Sequence, residues 1–346
     1  MEPLVRSAGY KKCNFVVVKD CHASAVPPGR RRGSYGDEIL HKLALAGMLA
    51  DTVHGHVLCA GDLVHFKSPS HQGNTYSYIN ELGDLLHSYP GGQMFGIVGN
   101  HDLTADNLET LPDQPLGNLI MAGAYHNLAT QPVIFEAEDI DPGAAFRVRV
   151  DGYNFERDAR VTLEAIQTAR PDPSCKYRVA LIHSYGCEGK TTSMFGEWAL
   201  GFDDLIGSPY DAFIWGHDHK PKGIIQVGSQ THLYLGSLSR AALTADEADR
   251  PVTVAVLSFS PDGIKVLERE LQVQPLELAF HTATLDVDHA DQRADVVDHR
   301  AATSSFLAEM QGHAEAVESE DPKELLLTLT DDQAIIREIC DACDLH

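Results

Sequence analysis

The stretch MFGIVGNHD, residues 94–102, decides how the rest of the chain is read. Met94, Phe95, Ile97 and Val98 make a short apolar run with the length of a buried strand, and Gly99 lets the backbone turn sharply at its end. Asn100, His101 and Asp102 are thereby delivered together to a strand mouth. An amide oxygen, an imidazole and a carboxylate in succession can serve as metal ligand, proton donor and the group that orients the donor. Taken alone, the same residues also fit a polar turn with a capping aspartate.

Working outward to the N-terminal side, Asn14–Val18 (NFVVV) is a β-branched strand, and Asp20 and His22 lie just past it. Side chains two apart at a strand end point the same way, so this pair can grip a cation; a solvated strand end is the alternative. The Pro/Gly loop that follows carries Arg30, Arg31 and Arg32, which either hold phosphate oxygens by bidentate hydrogen bonds or simply solubilise the loop. Ile39, Leu40, Leu43, Ala46, Leu49 and Ala50 recur at helical spacing and predict a crossover helix over 36–53. His56–Ala60 is a second strand closed by Gly61 and Asp62, with His65 three residues on, and 76–86 reads as a second helix. Strand, helix, strand, helix, strand results, with polar residues at each carboxyl end, the edge where sites assemble in open α/β sheets.

Beyond Asp102, residues 103–118 contain Pro112 and Pro115 and are predicted to be irregular. Strands are expected near 133–135 and 146–150, and a helix over 156–169. YRVALI, 177–182, ends in His183, and AFIW, 212–215, ends in GHDH with His217 and His219 two apart. Segments 232–235, 253–259 and 264–271 read as antiparallel strands, the last two joined by the turn Pro261–Gly263. From about residue 275 an acidic segment gives way to short helical patterns, so the expected domains are 1–274 and a helical C-terminal appendage, 275–346, for capping or partner contact.

Composition narrows the partners. Lys plus Arg is 27 and Asp plus Glu is 50, a formal charge of −23, so a phosphate substrate has to be drawn in locally by metal ions or a small basic patch. The seven cysteines are scattered, which suits reduced thiols in a cytoplasm; Cys340 and Cys343 form a lone CxxC, either a zinc ligand pair or two helix-facing thiols. No signal-peptide core and no membrane-length apolar run is present, so a soluble cytoplasmic protein without membrane contact is expected.

Gathered together, Asp20, His22, Asp62, Asn100, His183, His217 and His219 offer carboxylate, amide and imidazole donors and no thiolate, a set suited to manganese, iron or zinc. Seven donors exceed the needs of one ion and fit two divalent metal ions about 3.5–4 Å apart that share a carboxylate.

The ordered series DxH, GD, GNHD, H, GHxH, spanning residues 14–240, resembles the calcineurin-like metallophosphoesterase superfamily. That resemblance implies an α/β fold, a four-layer αββα sandwich. It implies one metal on Asp20, His22 and His219, a second on Asn100, His183 and His217, and Asp62 bridging them, with manganese foremost. His101 would serve the leaving oxygen, with Asp102 orienting it, during in-line attack on phosphorus by a metal-bridging hydroxide. GDLVHFKSPS, 61–70, and GSLSR, 236–240, are similar to segments of SbcD-type DNA repair nucleases. This likeness implies a phosphodiesterase acting on DNA ends, His65 near the scissile phosphate, Arg240 on the phosphate side, an SbcC-like ATPase partner and a homodimer. The C-terminal region departs from that family's capping domain. A small-molecule phosphoesterase is the alternative that the acidic composition favours. A catalytically silent metal-bound scaffold is a third, disfavoured because no ligand and neither His101 nor Asp102 is missing.

Overall fold

The apolar runs become strands buried on both faces. In the computed structural model, residues 2–10, 12–138, 145–189, 193–194, 197–241 and 250–280 are described. The first half supplies β1 (Leu4–Tyr10), β2 (Cys13–Val18), α1 (Tyr35–Thr52), β3 (His56–Cys59), α2 (Tyr76–His87), β4 (Met94–Gly96), α3 (Pro115–Met121), β5 (Tyr125–Asn127) and β6 (Val133–Glu138). The second supplies β7 (Phe146–Tyr153), α4 (Ala159–Gln167) and β8 (Tyr177–His183), then the two-residue strands β9 (Gly186–Cys187), β10 (Ser193–Met194), β11 (Glu197–Trp198) and β12 (Leu200–Gly201). It closes with β13 (Ala212–Gly216), β14 (Gly223–Val227), β15 (Gln230–Tyr234), β16 (Val252–Ser260) and β17 (Gly263–Leu271).

Two mixed sheets carry the architecture. One runs β17-β16-β2-β3-β4-β5 and the other β1-β6-β7-β8-β13-β15-β14. The two-residue alternation of strand side chains assigns each run to two cores. Phe15 and Val17 of β2, with Leu58 and Phe95, pack against Phe135, Val148, Val179, Leu181 and Ile214 of the other sheet. Val16 and Val18 face the opposite way, onto Ile39, Leu43 and Ala46 of α1 and Leu82 of α2. On the far side, Ala180, Ile182, Phe213 and Trp215 pack against Ala159 and Ile166 of α4. Helices, sheet, sheet and helix therefore make the four-layer αββα order expected, and burial on both faces explains why the strands read as continuous apolar runs. Among the described residues no helix is long and apolar enough to cross a membrane.

Several elements differ from the sequence reading, among them β5, β14 and the two-residue strands β9 to β12, which it did not include. Residues 115–121, expected to be irregular, form α3, because Pro115 sits at the helix start, where no backbone N–H is needed. The strand expected at 232–235 is antiparallel to β14 but parallel to β13 on its other side. β1, parallel to β6 at a sheet edge, was not predicted, since LVRSAGY lacks a sustained apolar pattern. The helical appendage expected over 275–346 lies outside the described residues except for the turn Leu276–Ala279 and Phe280, and the Cys340–Cys343 pair lies outside them altogether.

α1 is anchored by a buried charge cluster. Glu38 pairs with Arg31 and, at 2.7 Å, with Lys42, and both cations are 1% exposed. Burial works against the charged form of Glu38, but Lys42 and Arg31 outweigh it and hold the carboxyl below its ordinary value of 4.5. Its stabilisation is thus complete above that value and is lost as pH falls through the lower, folded one. Glu38→Gln, which strands two buried cations, is expected to cost about 3–5 kcal/mol at neutral pH in urea unfolding. The gap from the parent protein should narrow as pH drops; a gap that widens in acid would contradict this assignment.

Candidate metal centre

Five strand ends converge at one edge shared by both sheets. β2, β3 and β4 are parallel, as are β8 and β13, so their carboxyl ends open in common. Asp20 and His22 follow β2, Asp62 follows β3, Asn100 follows β4, His183 ends β8, and His217 and His219 follow β13. Backbone bonds pin the first two loops together: Asp20 N–H donates to Gly61 O at 3.1 Å and His22 N–H to Asp62 O at 3.0 Å. Asp20, His22, Asp62 and His217 all take left-handed backbone angles, with φ of 46°, 49°, 52° and 86°. Such a conformation costs a non-glycine residue on the order of 1–2 kcal/mol and persists where a site over-determines it. Gly99 is needed for a different reason than a tight turn, because a Cβ there would collide with the Asp62 carboxylate.

The donors meet around Asp62. Its Oδ2 lies 3.3 Å from His183 Nε2 and 3.8 Å from His22 Nε2, while its Oδ1 accepts the His101 N–H at 2.8 Å. Asn100 Oδ1 lies 3.3 Å from His183 Nε2 and 2.9 Å from His217 Nδ1. Across Asp62, His22 Nε2 faces His219 Nε2 at 2.9 Å. Asp20 Oδ1 accepts the His217 N–H at 2.9 Å. Two groups, Asp62–His183–His217 and His22–His65–His101, have ligand atoms close enough to hold an ion each. The seven residues expected as ligands are therefore brought together, with His65 and His101 beside them.

The protons show that this set fits cations. His183 Nδ1 lies 2.7 Å from the Ala60 carbonyl and must donate to it, so in a neutral ring Nε2 presents a lone pair toward Asp62 and Asn100 Oδ1, two acceptors. Only a positive species between them relieves that clash. Without a metal ion the proton takes the part: burial opposes charge on His183, but Asp62 and Asp20 raise it to about 9. Burial likewise opposes the charged form of Asp62, and His183, His101 and His22 hold it well below the usual carboxylate range. Asp20 Oδ2 and His22 Nδ1 are buried without a hydrogen-bond partner, although Lys19 Nζ stands 3.2 Å from that oxygen.

Of the three residues expected around the leaving group, Asp102 has a different role from the one expected. His101 Nδ1 lies 2.6 Å from the His65 carbonyl, so the backbone of His65, rather than Asp102, orients the ring. Asp102 accepts the N–H groups of Val64 at 3.0 Å and Gly99 at 2.9 Å, one on each oxygen, and fastens the GD loop to the GNHD turn. Burial and Asp62 push its carboxyl up to about 7. Asp102→Ala would orphan two buried donors and is expected to cost about 2–4 kcal/mol in chemical denaturation. Asp102→Asn, which keeps one acceptor, should cost less; equal losses would refute the clamp. The His65 ring stacks on His101 at 5.4 Å between centroids, and burial and His101 hold it down to about 4, so it is neutral near pH 7.

The arginines are split. Arg31 is buried between the Tyr35 and Phe280 rings and pairs with Glu38; Arg240 is buried, donates to Gln274 O at 3.0 Å and lies over Phe280. Arg30 and Arg32 are exposed. Two site residues escaped the sequence reading. Tyr35, fully buried, donates its O–H to the His22 carbonyl at 2.9 Å, and Lys19 is 1% exposed beside Asp20. A lysine placed directly after an apolar strand was the available signal for the second.

No family model matches the chain, and no curated protein matches it. Among solved structures, a double mutant of Vps29 from Entamoeba histolytica aligns over 75% of this chain and 99% of that chain, at 14% identity and a TM-score of 0.28. Identity and score are both too low for anything to be carried from that protein to this one.

Proposed function

We propose that the chain is a two-metal phosphodiesterase of the SbcD-like nuclease kind, cleaving DNA from its ends. The observation that carries the reading is the convergence on Asp62 of nitrogen and oxygen donors from five strand ends, with His183 locked by Ala60 so that its lone pair points inward. Asp20, His22 and His219 would hold one divalent ion, Asn100, His183 and His217 the other, and Asp62 both; manganese suits these donors, with iron and zinc as alternatives. Bound there, the ions supply Lewis acidity that activates water and neutralises phosphate charge. His101, with Nδ1–H committed to the His65 carbonyl, offers Nε2 to the leaving oxygen, steadying it or giving it a proton. Asp102 keeps the turn that bears Asn100 and His101 in register. The region beyond 275 is where an SbcC-like ATPase or a second copy would dock.

A small-molecule phosphoesterase is the second reading. It is favoured by the charge of −23 and by the commitment of Arg31 to Glu38 and Arg240 to Gln274, which leaves fewer cations to grip a polyanion. Incubation with Mn²⁺ and, separately, bis-p-nitrophenyl phosphate, p-nitrophenyl phosphate and end-labelled duplex DNA tests both. Turnover of the diester and shortening of the DNA are expected. Turnover of the monoester alone would sink the diesterase reading, and diester turnover without DNA cleavage would select the second.

A further inference from the structure

Lys19 is not explained by the donor set. It directly follows β2 on the way to Asp20 and is almost fully buried, where an ammonium is costly unless paired. Its Nζ donates to Asp218 O at 2.6 Å, lies 3.2 Å from Asp20 Oδ2, and sits 5.0 Å from the centroid of the Tyr234 ring. Asp218 separates His217 from His219, so the ammonium touches both the DxH loop and the GHDH loop.

A neighbour of a metal ligand can act in two opposed ways. It can aim the ligand, which raises cation affinity, or it can cancel the ligand's charge, which lowers it. Geometry separates the two here. Asp20 is aimed through its other oxygen, Oδ1, by the His217 N–H. Oδ2 has no hydrogen-bond partner even with Lys19 near it, and the directed bond of the ammonium goes to the Asp218 carbonyl. Lys19 therefore gives Asp20 charge without direction. The donor set contains two carboxylates, and Lys19 offsets one of them. Among the described residues no lysine or arginine pairs with Asp62, whose ion-pair partners are His22 and His183.

We propose that Lys19 weakens the Asp20–His22–His219 position for a divalent cation, so that the two positions fill in order, with Asp62–Asn100–His183–His217 first. The inference rests on the two-metal reading above. It is tested by calorimetric titration of the chelator-treated full chain with Mn²⁺, comparing the parent with Lys19→Met and Lys19→Gln and checking each fold by circular dichroism. Glutamine keeps a donor for the Asp218 carbonyl without the charge, and so covers the case in which the methionine variant does not fold.

The parent should bind two Mn²⁺ with dissociation constants that differ by about tenfold or more, and either folded variant should tighten the weaker one about tenfold while moving the tighter one less than about threefold. A weaker position that is unchanged or loosened in a folded variant overturns the role of Lys19. Two equal positions in the parent overturn the filling order. If the parent takes up no Mn²⁺ at all, the two-metal reading falls and this inference falls with it.

Discussion

Asp62→Asn is expected to remove the paired ions and abolish hydrolysis. Asp62 is the one side chain that faces both halves of the donor set, with Oδ2 toward His183 and His22, and its Oδ1 holds the backbone of His101. Asparagine keeps the shape but removes the charge, and one of its two terminal atoms must become an N–H₂ group. If that group takes the Oδ2 place, it points a donor where a cation belongs; if it takes the Oδ1 place, it opposes the His101 N–H. Paired cations contribute several kcal/mol of transition-state charge stabilisation, so kcat/KM should fall by on the order of 10³ or more. Elemental analysis should show manganese content falling from two ions per chain to one or none. Retention of two ions at full rate would disprove the bridging role.

His101→Ala should separate binding from turnover. The ring sits beside the ligands, yet its own hydrogen bond goes to a backbone carbonyl, so its loss leaves all seven ligand side chains in place. General acid assistance of this kind contributes about 10²–10⁴ in rate, and kcat should fall by that amount with manganese content unchanged. The loss should also depend on the leaving group. A nitrophenolate departs without a proton, whereas a sugar alkoxide needs one, so the defect should be smaller on the nitrophenyl diester than on DNA. A variant that sheds metal in step with its activity would instead make His101 a ligand, as its grouping with His22 and His65 would allow.

The strands that bear the candidate residues were legible because burial on both faces writes them as unbroken apolar runs, and NFVVV divides between two cores as its alternation demands. The gathering of the seven candidate residues at one edge was legible because each stands within a few residues of such a run. What could not be read were partnerships set by distant segments. Asp102 is one residue from His101 in sequence, which suggested that they pair. Its acceptor atoms are instead taken by Val64 and Gly99, because the GD loop lies across the turn. Arg31 looked like a phosphate clamp from its neighbours in the loop, but Glu38, one helical turn into α1, and Phe280, far along the chain, enclose it. Pro115 was read as a breaker because composition does not say on which side of a helix start it falls.

The position of β2 governs when the centre can assemble. This strand, which leads to Asp20 and His22, lies between β3 on one side and β16 on the other, and β16 pairs with it through residues 255–259. A chain emerging from the ribosome therefore makes its first ligand strand early and leaves one edge of it open until almost the whole of the described body has been synthesised. Such long-range closure slows folding, and an uncovered apolar strand edge is prone to mispairing while it waits. Assembly of the proposed centre thus comes late in biosynthesis, and a nascent chain halted before β16 carries all seven proposed ligands but lacks the strand that flanks β2 and fixes the position of the two that follow it.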